Sequence, residues 1–392
     1  MRGSRRRAPL VVAIALSLSL LLGSCSFGPG NVFLPGRLQT GLFSLGFTAL
    51  EGLMLLGTAI DLLDETSRFQ FGPLSGRFLA GIATGDGFAV VDLEGLSILH
   101  EEASLMRAPM FGVVGLSRTP SGPSSDARIV GFGMGGKVYR PYLGGSGAFD
   151  PPVGRGSSAI YDAYPAGGRL DADLTPYVRP SLGIGFMKYD LSAGGYGNSA
   201  EVLPAANFSG ELVSAYLADD DLVDAKPILV LDRAVNSGLY VDYRDGSMPT
   251  RAFDVGLDAR KLRCIDTMTA AGHLCAISVF GQDQLGLVNW DSVGLPTWRG
   301  FVDVGDGPVG LDIGKLSNGN YGIVSTGFND DSVTEVEVTA TGTLVDTAAR
   351  DVPTGCVQPG HAIYVPDAED HNVVGTCYGS GHLFMLKTAL QF

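Results

Sequence analysis

The chain has 392 residues, 45% of them hydrophobic and 17% charged, with 56 glycines and 21 prolines. That apolar fraction supports a large buried core and excludes general disorder. The 27 Lys+Arg against 41 Asp+Glu leave a net charge of −14, the wrong sign for gripping a phosphate backbone, so no nucleic-acid partner is expected.

At the N-terminus, Arg2, Arg5, Arg6 and Arg7 precede Leu10–Leu22, a run of 13 residues without charge. A cationic start before a short apolar run is the layout of a secretory signal. A spanning helix needs roughly 20 residues, more than this run provides. The run ends at Leu22-Gly23-Ser24-Cys25, which resembles the lipobox of bacterial lipoprotein signal peptides. The resemblance implies cleavage before Cys25, diacylglycerol on its thiol and an acyl chain on its amine. The organisation expected is a signal over 1–24, a lipidated Cys25 with a tether to residue 36, and one domain over 37–392. Losing four arginines and no acid takes the net charge to −18, from 23 cationic and 41 acidic residues. The protein is then expected in the bacterial cell envelope, held to the membrane by its N-terminal lipid. Ser26 rather than Asp follows the cysteine, which by the family's habit favours the outer membrane of a two-membrane host.

The N-terminal half of the domain is weakly patterned. Thr48–Leu63 is apolar enough for either helix or strand, and the spacing leaves both open. Arg77–Ala83 with Gly87–Leu93, Met110–Leu116 with Ala127–Gly131, and Ala159–Ala163 with Gly183–Tyr189 each read as a pair of strands. Gly131–Gly136 satisfies GxGxxG, but Lys137–Pro141 continues as a strand-like run ended by proline, where a dinucleotide site needs a helix. Gly144–Ala148 narrowly misses the GxSxG elbow. Residues 142–200 are rich in Gly, Pro and Ser and are expected to form long loops.

The C-terminal half reads as strands in groups of four. Leu212–Ala218, Pro227–Asp232, Gly238–Tyr243 and Arg251–Val255 form one group. Lys261–Ile265, His273–Phe280, Gln284–Trp290 and Trp298–Val304 form the next. Val309–Ile313, Tyr321–Thr326, Ser332–Val338 and Thr343–Val352 follow. His361–Val365, His371–Cys377 and Gly381–Lys387 start a fourth group without a full last strand. Val255, Val304 and Val352 recur at spacings of 49 and 48. A four-stranded unit at this period predicts an all-β fold, a β-propeller with four-stranded antiparallel blades. Seven blades are expected, with six as the alternative, and a strand from the N-terminal region is expected to complete the short last blade.

Asp303–Leu311, Asn318-Gly319, Tyr321–Thr326 and Val333–Val338 resemble one YVTN-type repeat of lactonase-like propellers. The resemblance departs from the pattern where Gly327-Phe328 intervenes before Asn329 and where Val338-Thr339 ends the blade. It implies a divalent cation held by loop carboxylates and amides on one face of the central channel. The loops on that face carry Asn236, Asp258, Asp283, Asp306, Asn329, Asp330 and Asp331. Asp258, Asp283, Asp306, Asn329, Asp330 and Asp331 are the candidate ligands of an ion such as calcium, although Asp and Asn also favour such turns for conformational reasons.

Without Cys25, four cysteines remain in an oxidising compartment. The midpoint of 264 and 275 falls at Thr269/Ala270, and that of 356 and 377 at Pro366/Asp367, both within turn signals. Cross-strand partners lie symmetrically about a hairpin turn. The expected disulfides are therefore Cys264–Cys275 and Cys356–Cys377. With no catalytic constellation legible, the role expected is a monomeric binding or scaffold protein that needs no cofactor. Its partner would be another envelope protein or a small ligand. The alternative is a metal-dependent hydrolase of lactonase type.

Overall fold

The computed structural model describes residues 38–390 except 48–49, 56–77, 85–86, 102–109, 119–125, 134–159, 165, 169–173, 181, 191–194, 199–202, 209, 219–226, 243–248, 292–293 and 367–370. Cys25, Gly144–Ala148 and the acidic segments 219–221 and 367–370 lie outside the described residues.

After β1 (Gly41–Ser44), the chain builds seven antiparallel sheets in succession. The first is β2 (Leu50–Leu55), β3 (Leu79–Thr84), β4 (Gly87–Asp92) and β5 (Ser97–Glu101). The second is a hairpin, β6 (Met110–Arg118) and β7 (Asp126–Gly133). The third is β8 (Asp162–Ala163), β9 (Leu174–Arg179), β10 (Gly183–Asp190) and β11 (Gly195–Asn198), with β12 (Leu203–Pro204) also paired to β10. The fourth is β13 (Leu212–Leu217), β14 (Ile228–Asp232), β15 (Ser237–Val241) and β16 (Thr250–Asp254). The fifth is β17 (Ala259–Asp266), β18 (His273–Val279), β19 (Gln284–Trp290) and β20 (Thr297–Asp303). The sixth is β21 (Pro308–Lys315), β22 (Tyr321–Gly327), β23 (Ser332–Val338) and β24 (Leu344–Asp351). The last is β25 (Pro359–Pro366), β26 (His371–Cys377), β27 (His382–Lys387) and, on its outer edge, β1.

This is a β-propeller. The first strand of each sheet touches the next sheet's first strands, and β25 meets β2 to close the ring. Outer strands are the exposed ones: β24 is exposed at nearly every position, whereas β13 is buried throughout. Six sheets have the four-stranded path of a complete blade, and the second contributes two strands among the described residues. The expected closing strand is β1, with Gly41 opposite Met385 and Ser44 opposite His382. Strand closure leaves no open seam where the ring's ends meet.

The apolar cores lie between neighbouring sheets. One packs Val213, Tyr216 and Leu229 of the fourth sheet against Leu262, Cys275 and Trp290 of the fifth. Another packs Leu274 and Leu287 of the fifth against Leu311 and Ile323 of the sixth. A middle strand therefore buries both faces. In β18, Leu274 and Ala276 face one neighbour while Cys275 and Ile277 face the other. That is why His273–Val279 is a continuous buried run and not an alternating one.

A repeated turn sets the period. Asn236, Asp283 and Asp331 have φ of 48°, 56° and 54°, the left-handed region that Asn and Asp tolerate best among side-chain-bearing residues. Their carbonyls accept the N–H of Val255, Val304 and Val352 at 2.9, 2.9 and 3.0 Å. The recurring valines thus mark the return of the outer strand to its own blade's turn.

Two expectations change. Within Thr48–Leu63, which the spacing leaves open, Leu50–Leu55 is strand, and the rest of that segment lies outside the described residues. Residues 142–200 are expected to be rich in loops, yet besides β10, which matches the expected strand Gly183–Tyr189, they form β9 (Leu174–Arg179) and β11 (Gly195–Asn198). Gly195 and Gly197 lie within β11, where glycine content obscures the pattern. At Gly185 a Cβ would come within 2.3 Å of the Tyr177 ring, so glycine here admits a cross-strand aromatic.

The C-terminus is latched to the sixth sheet. Glu335 of β23, 0% exposed, accepts from the Ala389 N–H at 2.9 Å, from the Thr388 hydroxyl, from the Tyr364 hydroxyl at 3.4 Å, and pairs with Arg350.

Candidate functional site

The innermost strands carry a charged cluster. In three sheets the N–H just past the first-strand bulge donates to a hydroxyl on the second strand: Lys261 to Ser278, Gly310 to Thr326 and His361 to Thr376, at 3.0, 2.9 and 3.0 Å. Two residues further on in the fifth and sixth sheets stand Arg263 and Asp312, on the same side of their strands as Lys261 and Gly310.

Arg263 is 7% exposed and pairs in a two-pronged bridge with Asp162 of β8, 2% exposed, both N–O distances being 2.9 Å. Ser214 of β13 donates its hydroxyl to the same carboxylate. The Arg263 guanidinium lies over the Tyr164 ring at 4.5 Å, and the Tyr164 hydroxyl donates to the Cys264 carbonyl at 3.3 Å. Burial alone would push the Asp162 carboxyl up, but the charge and hydrogen bonds of Arg263 hold it below its ordinary value. Burial raises Tyr164, so the phenol stays protonated at neutral pH.

Asp312 of β21 accepts the Tyr364 N–H at 2.9 Å. Removal from water pushes its carboxyl up to about 6, against the pull of two backbone N–H donors and of Arg263. His361 of β25 is 7% exposed, and its Nδ1 has no hydrogen-bond partner. Burial, reinforced by the charges of Lys261 and Arg263, holds its imidazole well below the ordinary histidine value, so it is neutral at pH 7. Five sheets thus bring an ion pair, a carboxyl poised near pH 6, a neutral imidazole and a protonated phenol to the inner strands. Such a set can both donate and accept hydrogen bonds in a site shielded from water.

The sequence reading missed this cluster. Its signal is a charged residue embedded at period two in a strand buried on both faces, as in Lys261-Leu262-Arg263 and Gly310-Leu311-Asp312.

The expected carboxylate ligands sit elsewhere and are occupied locally. Asp258 bridges Arg233 at 3.1 Å and Arg260 at 2.9 Å. Asp283 accepts the Gly307 N–H at 3.0 Å, and Asp331 accepts the Gln358 N–H at 2.7 Å, each tying a turn to the next sheet's first strand. Asp306, Asn329 and Asp330 form one small network: the Asn329 amide donates to Asp306 at 2.8 Å, and the Asp306 N–H donates to Asp330 at 3.0 Å. These six residues share a face but divide among separate turns. Among the described residues, no group of three or more His, Cys, Asp or Glu is placed to hold a metal ion.

Cys264 and Cys275 stand directly opposite in β17 and β18 and are joined, with Cα atoms 4.0 Å apart. Cys356 is joined to Cys377, with Cα atoms 5.3 Å apart. Here the hairpin symmetry argument is only approximate. The ladder partner of Cys377 is Pro359, and Cys356 lies in the turn before β25.

No protein-family model matches the chain, and no curated protein matches it in sequence. In fold it is similar to many solved chains, 640 in all, so the architecture by itself selects no activity. One is a streptogramin B lyase, with a TM-score of 0.55 and 11% identity over 89% of this chain and 98% of that one. At that identity the likeness extends to the β-propeller fold alone.

Proposed function

We propose that the protein is a lipid-anchored envelope propeller that binds a small polar ligand at the inner-strand cluster. The observation that carries this reading is the His361 Nδ1, buried without a partner and within the electrostatic field of Lys261 and of Arg263, itself paired with Asp162. A buried ion pair contributes little net stability over an apolar pair of the same size, so stability alone gives little reason for it. Perturbed titratable groups gathered in a protected site are the usual mark of ligand recognition. The anchor rests on the lipobox-like Leu22–Cys25.

Native mass spectrometry of the protein isolated from its own membranes tests both parts. The reading expects an acylated N-terminus at Cys25 and a bound species of small mass that is absent from a folded His361→Leu variant. A wild-type protein carrying no small molecule, whose melting temperature is unmoved by a panel of hydroxy acids, dicarboxylates and amino acids, refutes the ligand. A Cys25→Ser variant that stays in the membrane refutes the anchor.

A further inference from the structure

A cavity lies on the outside of the ring, between the fourth and fifth sheets. It has a volume of about 470 Å³ and is lined by Phe253, Asp254, Gly256, Gln282, Trp298 and Phe301. Three aromatic rings form its wall. Trp298 lies 5.3 Å from Phe253 at an interplanar angle of 32°, and 4.9 Å from Phe301 at 71°. Glycines on the adjoining strands let the rings lie flat against the sheets: a Cβ at Gly238 would meet Phe253 at 2.2 Å, and one at Gly286 would meet Trp298 at 2.4 Å. Phe301 nevertheless remains 42% exposed.

The polar groups at the cavity narrow its ligand. Gln282 is committed through its side-chain oxygen to the Leu257 N–H at 3.3 Å. Among the described residues Asp254 pairs with Arg251 alone, and both side chains are largely exposed, at 74% and 61%. An exposed pair of that kind exchanges readily with another cation. A sugar needs several hydrogen-bonding partners, and this wall has few to give. An anion would meet a carboxylate on a chain of net charge −14. An apolar cation meets aromatic faces and a carboxylate together, the combination that attracts alkylammonium groups. The fold already stacks cations on rings elsewhere, with Arg260 3.4 Å from the centre of Phe280.

We infer that this outer cavity is a binding site for a quaternary ammonium group. The test uses the protein's own fluorescence. The sequence has two tryptophans, and Trp290 is 1% exposed with its indole N–H bonded to the Gly294 carbonyl, so a ligand in this cavity is reported by Trp298. Choline chloride is titrated against 3,3-dimethylbutan-1-ol, its uncharged counterpart, at constant ionic strength. Choline is expected to give a saturable change, with the alcohol at least tenfold weaker. Phe301→Ala is expected to weaken choline tenfold, and Asp254→Asn severalfold, without altering the melting temperature. Equal response to the neutral alcohol overturns the assignment, as does a linear response to choline. Phosphatidylcholine vesicles form a second arm. Co-sedimentation lost in Phe301→Ala identifies a lipid headgroup as the source, and choline binding without co-sedimentation identifies a free solute.

Discussion

Replacing Asp162 by Asn removes the only carboxylate paired with Arg263 among the described residues, while keeping an oxygen for Ser214. The guanidinium stays 7% exposed and loses its counter-charge. Breaking a buried pair from one side costs about 3–5 kcal/mol, because the remaining charge is left uncompensated away from water. Removing both charges, as in Asp162→Leu with Arg263→Met, leaves nothing uncompensated and should return to within about 1–2 kcal/mol of wild type. Urea unfolding at pH 7 measures both variants, with the midpoint shift converted through the wild-type slope. The pair also has a pH signature. The Asp162 carboxyl is held below its unfolded value near 3.8, so its contribution is present above that pH and lost as pH falls through the lowered folded value. The excess destabilisation of Asp162→Asn should therefore shrink on acidification. A single variant within about 1 kcal/mol of wild type would refute the reasoning, as would a double variant as unstable as the sum of its parts.

Three further outcomes follow from the described contacts. Asp312 is raised to about 6, so the fold favours its protonated form and loses that stabilisation as pH rises from about 4 to 6. Asp312→Asn should gain stability relative to wild type across that window, reaching about 1–3 kcal/mol at pH 7, and a difference in urea midpoint independent of pH would contradict it. Glu335→Ala should cost about 3 kcal/mol and abolish the hydrogen-exchange protection of the Ala389 amide, whereas retained protection would mean the C-terminus is held elsewhere. Serine at both Cys356 and Cys377, which close a loop across 21 residues, should lower stability by about 3 kcal/mol, and reductant should destabilise wild type at least as much, since it also opens Cys264–Cys275.

Much of the fold was legible because propeller blades repeat their local chemistry. The fifteen strands expected from Leu212 onward all form as β13–β27, with boundaries moved by a few residues. They were readable because left-handed turn residues at 236, 283 and 331 punctuate runs buried on both faces. In the first half the β3–β4 and β6–β7 turns lie outside the described residues. β9 was hidden inside a Gly- and Pro-rich stretch, and β8 is two residues long. The inner-strand cluster was illegible for a different reason. Asp162 and Arg263 are 101 residues apart and meet only where the inner strands of the third and fifth sheets converge. The turn aspartates drew attention because they are conspicuous in sequence. In space, Asp283 and Asp331 tie their turns to the start of the next sheet, Asp258 pairs with Arg233 and Arg260, and Asp306, Asn329 and Asp330 hold one another.

Building the last sheet from strands far apart in the chain has a consequence for how the protein is made. Gly41–Ser44 is synthesised before all seven sheets, and its ladder partners, His382–Met385, follow only after the other six. During synthesis and any passage through a translocation pore, the N-terminal strand has no edge to join, and the ring is an open arc with an unsatisfied strand at each end. Closure therefore waits until β27 has been made and has a very long loop to order, and such topologies fold slowly. A prematurely terminated chain lacking β27 cannot complete its seam and leaves the same exposed edge that recruits other strands. The closing strand thus couples stability to completeness: an intact chain seals itself, and a truncated one remains a substrate for chaperones and proteases.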